Sequence, residues 1–181
     1  MPSDVVDLIM ADHREVERLF DMLQKEPAKR PLVLPTVTAL IIAHARAEET
    51  EVYPAARKEA GETDEVAHSQ EEHAEAETLL ARLAEMGPDD SAYESTLQEL
   101  IDAVKHHVEE EESSVLPGMR KRLDDQRRHE LAEAFVASRT KHLGDRPGEA
   151  SKAELQQQAA NAGVEGRTSM SREELKEKLQ G

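Results

Sequence analysis

The chain has 181 residues, a formal net charge of −16 and no cysteine. That length holds one ordinary domain with a real core plus a small appendage. The acidity opposes general binding to nucleic acid or anionic membrane, and the missing cysteine excludes disulfides, thiolate zinc sites and cysteine nucleophiles. Any metal must therefore be held by nitrogen and oxygen ligands. "MPSDVVDLIMADH" has no basic n-region and no long apolar run, so no signal peptide is expected. No segment approaches a bilayer-spanning length, and a soluble cytoplasmic protein is expected. The only aromatics are Phe20, Tyr53, Tyr93 and Phe135, which favours helix over sheet.

Helical periodicity marks four long segments. The first runs to about Lys25 with Ser3 as its cap, and Ile9, His13, Val16, Phe20 and Leu23 recur at three- and four-residue steps. After "KEPAKRP", the second runs from about Leu34 to Ala60, with Val37, Ile41, His44, Glu48 and Val52 on one face. "GETD" then stops and recaps the chain. The third runs from about Asp64 to Met86 with Val66, His73, Leu80 and Leu83 aligned. The fourth runs from about Ser91 to Val115 with Leu97, Ile101, Val104, His107, Glu111 and Val115 aligned. Short connections make neighbours antiparallel, so residues 1–142 are expected to be an all-α, up-down-up-down four-helix bundle. A fifth helix, about Gly118 to His142, packs across one end. Residues 143–150 read as a linker and 151–181 as a separate helix–turn–helix unit.

The bundle repeats itself. "DHREVERLF" (Asp12 to Phe20) matches "EHAEAETLL" (Glu72 to Leu80), and "HARAEETEVYP" (His44 to Pro54) matches "HVEEEESSVLP" (His107 to Pro117). Residues four apart on a helix lie about 40° apart around the axis. His44 and Glu48 therefore share a face, as do His107 and Glu111, and those faces are the apolar stripes. His13 and His73 occupy stripe positions too. Four imidazoles and two carboxylates in a small core are costly unless paired or metal-bound. Two bridging acids between two sets of imidazoles make a two-metal site suited to iron, manganese or zinc. A single stripe histidine or a single H-x-x-x-E would be an ordinary feature of an acidic helix; their coincidence on four helices in repeat register is not. The flanking acids Glu49, Glu51, Glu109, Glu110 and Glu112 are expected on solvated faces. His106, turned 100° from His107, is expected to point outward.

These motifs resemble the hemerythrin-like HHE cation-binding family. The resemblance rests on D-H-x-x-V (Asp12 to Val16), H-x-x-x-E-E…Y-P (His44 to Pro54), E-H (Glu72, His73) and H-x-x-x-E-E…L-P (His107 to Pro117). It implies two non-haem irons, oxo- or hydroxo-bridged, held by His13, His44, Glu48, His73, His107 and Glu111, with Glu48 and Glu111 as bridges. The oxygen-carrying hemerythrins have a further histidine four residues before the position of His73, where this chain has Ser69, and a five-residue histidine-to-aspartate spacing where this chain has His107 to Glu111. His68, five residues before His73 and rotated about 140° away, is either an added ligand or a surface histidine. Tyr53 is either a ligand or a core side chain beside Pro54. Fewer histidines leave more open iron positions, which favours reaction with O2, H2O2 or NO over reversible storage. Catalase-like or peroxide- or NO-reducing activity in a stress response would follow. The alternative is a non-catalytic iron or oxygen sensor, or an iron-holding body. Ferritin-like bundles use E-x-x-H pairs, whereas here histidine comes first at a spacing of four.

In the tail, Ser151 with Glu154 and Ser171 with Glu174 form capping boxes, and Gly163 stops the first helix. "GVEGRTSMSREEL" is similar to SAP-like and Rho-N-terminal-like helix-extended-helix modules, many of which bind nucleic acid. The resemblance implies contacts through Arg167, Arg172, Lys176 and Lys178. The tail balances five basic against five acidic residues, so such binding would be weak and salt-dependent. Docking to a protein partner is the other expectation.

Overall fold

The computed structural model describes residues 3–181, and its regular structure there is entirely helical. Helix α1 spans Val5–Lys25. Its cap is Asp4 rather than Ser3: an Asp4 carboxylate oxygen accepts from the Val6 N–H at 2.9 Å, the usual aspartate N-cap geometry. Helix α2 spans Arg30–Ala47 and starts earlier than the periodicity suggests. Pro31 sits in its first turn, where a missing N–H costs nothing, and Pro35 follows one turn later.

Beyond α2 the backbone widens into a π-helical turn, Glu48–Val52, before α3 at Tyr53–Glu59. Pro54 explains the widening, because a regular helix would need an N–H it lacks and would drive its ring into the carbonyl of residue 50. The Tyr53 N–H instead bonds the Glu48 carbonyl five residues back. Such π turns concentrate at functional sites. Helix α4 is Thr63–Glu85, entered through Gly61 at φ 73°. Helix α5 is Tyr93–Ser113, and a break at Ser114 leads to α6, Val115–Arg122. Pro117 plays the part of Pro54 here, with a kink in place of a π turn. The expected fifth helix is divided. Gly118 belongs to α6, and Asp124 caps a new helix, α7, Asp125–Lys141, by accepting from Arg127 N–H at 2.8 Å.

Helices α1 and α2 pack as one pair and α4 and α5 as another, and the pairs meet through α1–α5 and α2–α4. Two apolar clusters fill the interior. One gathers Val16, Phe20, Leu23, Leu80, Leu100 and Ile101. The other gathers Val5, Ile9, Tyr53, Leu116, Met119 and Phe135, and joins α7 to α1 and α3. A buried polar layer lies between them on α1, α2, α4 and α5: His13 on α1, His44 at the end of α2, His73 on α4 and His107 on α5.

The tail forms α8, Lys152–Asn161, and α9, Arg172–Gln180, with both expected capping boxes present. Gly163 at φ 73° ends α8 in a Schellman arrangement, with Val164 N–H on the Ala159 carbonyl at 2.8 Å. Leu155, Ala159, Leu175 and Leu179 make a small core of their own. The tail also packs on α4, α3 and the π turn.

Candidate metal centre

His13, His44, His73, His107, Glu48 and Glu111 converge in the interior, each less than a tenth exposed. Each imidazole turns its Nε2 inward. His44 Nε2 is 3.2 Å and His73 Nε2 3.3 Å from the same Glu48 oxygen. His13 Nε2 is 3.3 Å and His107 Nε2 3.8 Å from one Glu111 oxygen. The two carboxylates thus lie between a His13/His44 pocket and a His73/His107 pocket, which we call positions one and two. At position two the two Nε2 atoms face each other at 3.2 Å. Adjacent nitrogens on one ion, each about 2.1 Å from it, stand roughly 3 Å apart.

The inward atoms lack ordinary partners. Both oxygens of Glu48, both of Glu111, and the Nε2 atoms of His13 and His44 are buried without a hydrogen bond. Burying such groups unsatisfied costs several kilocalories each, and a cation held among them would offset that cost. The donor set, four imidazole nitrogens with two shared carboxylates, suits iron, manganese or zinc.

Every outward nitrogen is held by an acid. His13 Nδ1 lies 2.8 Å from Glu112, His44 Nδ1 3.0 Å from Asp12, His73 Nδ1 3.2 Å from Glu49 and His107 Nδ1 2.9 Å from Glu72. Such outer carboxylates fix ring orientation and raise ligand basicity. Sequence reasoning missed all four roles. Glu49 and Glu112 were expected on solvated faces. Glu49 is instead 3% exposed, and Glu112 is partly buried beneath Arg14. The signal was present in the repeat: the acid before each first-helix histidine and the second acid of each E-E pair recur in both halves.

Electrostatics follow from the crowding. Burial alone would lower His44 and His73, but Glu48 with Asp12, and Glu48 with Glu49, lift each to about 10. His13 is raised against its burial by Glu111. Burial would raise Glu49, yet His73 and Arg46 hold it at about 2. Imidazoles that retain protons must release them before Nε2 binds a cation, so metal entry expels protons.

Tyr53 belongs to this layer. It is fully buried, and its hydroxyl lies 3.1 Å from His73 Nε2. Burial first, then Glu111, Glu48 and Glu49, push its phenol well above the usual range. Ser69, also buried, lies beside it. The repeat-equivalent residues at position one are Leu116 and Ile9, both buried and apolar. The structure does not bring His68 into the cluster. Its side chain is 53% exposed, with Nε2 2.9 Å from Glu110, as expected for a residue turned 140° from His73. His106 also points outward. A cavity of about 40 Å³ borders all four buried histidines on the other side, walled by Val16, Ile41, Ile42, Ala76, Val104 and Val108.

The tail reaches this layer as well. Gln158 donates to Glu49 at 2.9 Å, and Asn161 donates to the Glu49 carbonyl at 2.8 Å and to Gln70 at 3.2 Å. Of the candidate nucleic-acid contacts, Arg172 donates to the Ala150 carbonyl, Lys176 to the Gly148 carbonyl and Arg167 to the Val164 carbonyl. Lys178 is exposed.

A buried layer of histidines and shared carboxylates on four packed helices defines a cation-binding helical protein. Residues 4–118, well over half of the chain, match the family described as hemerythrin HHE cation binding domain, and the chain belongs to that family. A protein of Nostoc sp. (strain PCC 7120) named DNA nickase is 30% identical over 140 residues, covering 76% of this chain and 40% of that protein. The chain thus spans well under half the length of that relative. No solved structure matches the chain. Among the described residues, no helix is long and apolar enough to cross a membrane.

Proposed function

We propose that residues 1–142 form an up-down-up-down bundle with an added helix, in which two iron ions are held by His13, His44, Glu48, His73, His107 and Glu111. The protein binds or reacts with O2, H2O2 or NO, in oxygen, peroxide or NO response in the cytoplasm. The observation that carries this reading is the set of buried, unpartnered oxygens and nitrogens that face one another across the repeat. Iron held there supplies redox exchange and Lewis acidity toward a small ligand. The chain's own residues do the rest. Asp12, Glu49, Glu72 and Glu112 lock the four rings. The cavity of about 40 Å³ beside the histidines suits a small molecule such as O2, H2O2 or NO. Tyr53 stands at position two as a further ligand or as a proton donor; position one offers only Leu116 and Ile9 in the matching places. Elemental analysis, with optical spectra under air, peroxide and NO, tests the reading. Protein that retains no iron and gains no visible absorption on iron loading refutes it. Gas evolution from H2O2 separates a catalyst from a holder or sensor.

A second reading makes the protein a non-catalytic iron or oxygen sensor, or an iron-holding body, docked to DNA or a protein by residues 151–181. The name of the Nostoc relative favours it. The zero net charge of the tail and the tying of Arg172 and Lys176 to backbone carbonyls weigh against strong DNA affinity. A gel-shift titration of the full chain at low salt decides, with R167A/K178A as the comparison. No shift for the wild-type chain removes the DNA arm.

A further inference from the structure

The fourth helix of the bundle carries two overlapping H-x-x-x-E pairs. His107 and Glu111 turn inward; His106 and Glu110, one residue earlier, turn outward. Helix α4 carries another such pair, His68 and Glu72, and packs directly on α5. The four side chains meet at the rim. His68 Nε2 is 2.9 Å from Glu110 and 3.6 Å from Glu72 Oε1. His106 Nε2 is 3.2 Å from the other Glu110 oxygen and 3.6 Å from the same Glu72 Oε1.

Two solvated histidine–glutamate pairs would account for most of this. They do not account for Glu72. Its side chain is 9% exposed, and Oε1 is buried without a hydrogen bond while it faces both rim histidines. Its other oxygen is committed to His107 Nδ1 at 2.9 Å. At 3.6 Å neither rim imidazole satisfies Oε1 as a donor. Four donors on one ion at about 2.0–2.2 Å in a tetrahedron lie roughly 3.3 Å from one another; here one donor atom from each of the four residues lies within 4.8 Å of every other, and the histidine–glutamate pairs lie 2.9–3.6 Å apart.

We propose that His68, Glu72, His106 and Glu110 form a further cation site at the protein surface that takes a divalent transition ion of the zinc class. Two imidazoles with two carboxylates match that class, while magnesium and calcium prefer all-oxygen shells. Glu72 then touches two centres. Its outer oxygen binds the rim ion, and its inner oxygen braces the buried His107. The site is independent of the identity of the buried ions, because it is defined by residues outside the six.

The test uses the full chain carrying whatever metal it holds after purification and iron loading. Zinc chloride is titrated calorimetrically while iron content is followed. One further equivalent of zinc, bound without iron release and lost in H68A/H106A at unchanged iron content, is the expected result. Both histidines are more than half exposed, so the variant should fold; E110A supplies a second test, with weakened zinc binding. No stoichiometric zinc uptake by the wild-type chain, uptake that persists in H68A/H106A, or uptake matched by iron release each overturns the site. A chain that never binds iron but still takes this equivalent would refute the di-iron reading and leave the rim site standing.

Discussion

The two halves of the bundle hold the site in the same way but are themselves held differently. The exchange between them is close to twofold. The E-E pair of the second half serves His13, through Glu111 and Glu112, and the E-E pair of the first half serves His73, through Glu48 and Glu49. Asp12 braces His44, and its counterpart Glu72 braces His107. Outside this shell the likeness stops. Glu112 is covered only by the exposed Arg14, and Asp12 is capped by Arg139 from α7. Glu49 is enclosed by the buried Arg46, Gln70 and the tail's Gln158. Glu72 keeps a free oxygen toward the rim. Duplication thus explains the six inward side chains, while the asymmetry comes from α7, the tail and single substitutions, and it concentrates polar options at position two.

The comparison breaks most visibly at the shared carboxylates. Glu48→Ala and Glu111→Ala should each lose metal from both positions, whereas His44→Ala should spare position two and His107→Ala position one. Metal-to-protein ratios check this, and loss from a single position in E48A would show that Glu48 does not bridge. The next effect separates the halves. Glu49→Ala leaves the buried Arg46 to Glu77 alone and takes a partner from His73 and Gln70, which together cost about 3–5 kcal/mol, and at roughly 2–4 °C per kcal/mol the melting temperature should fall by about 6–20 °C. Glu112→Ala loses the exposed Arg14 pair, worth at most about 1 kcal/mol, and one bond to His13 Nδ1, worth about 1 kcal/mol, so its melting temperature should fall less than that of the Glu49 variant. Both should weaken metal binding by about 10–100-fold. Equal melting temperatures for the two variants would erase the asymmetry.

A smaller effect is expected from the tail's share of position two. Gln158→Ala with Asn161→Ala removes hydrogen bonds to Glu49 and Gln70. A bond to a charged group contributes about 1.5–3 kcal/mol, so at roughly 2–4 °C per kcal/mol the midpoint should fall by about 3–12 °C. Metal should be retained less firmly at His73/His107 than at His13/His44. A variant with unchanged midpoint and unchanged metal release would mean that the tail merely rests on the body.

How far these features could be read beforehand depends on what leaves a periodic trace. The six inward residues did, because H-x-x-x-E occurs twice in repeat register and every stripe carries a histidine. The helices did too, within a few residues at most ends. The π turn did not, since periodicity is blind to a single extra residue per turn; only Pro54 hinted at it. Glu49 and Glu112 were hidden because a residue next to an inward side chain is turned 100° away on its own helix. On an isolated helix that direction is solvent, but in a bundle it is the neighbour's imidazole. Gln158 and Asn161 look like surface amides in sequence, and nothing local says that a glutamate from residue 49 lies opposite them.

The finest test of the asymmetry is Tyr53→Phe. The change removes one hydroxyl from the neighbourhood of His73 Nε2 and keeps the ring in the apolar cluster that also holds Ile9, Leu116 and Phe135. Iron content should therefore stay at the wild-type ratio, and stability should change by no more than about 1 kcal/mol, the net worth of one hydrogen bond. What should move is the visible spectrum of the iron-loaded protein and its response to peroxide, because position two would lose the polar group that position one never had. Leu116→Met, a volume-conserving change at the matching place in the other half, should leave both alone. If Y53F and L116M are indistinguishable in spectrum and in peroxide response, the hydroxyl is packing and the two positions are chemically alike despite their different walls.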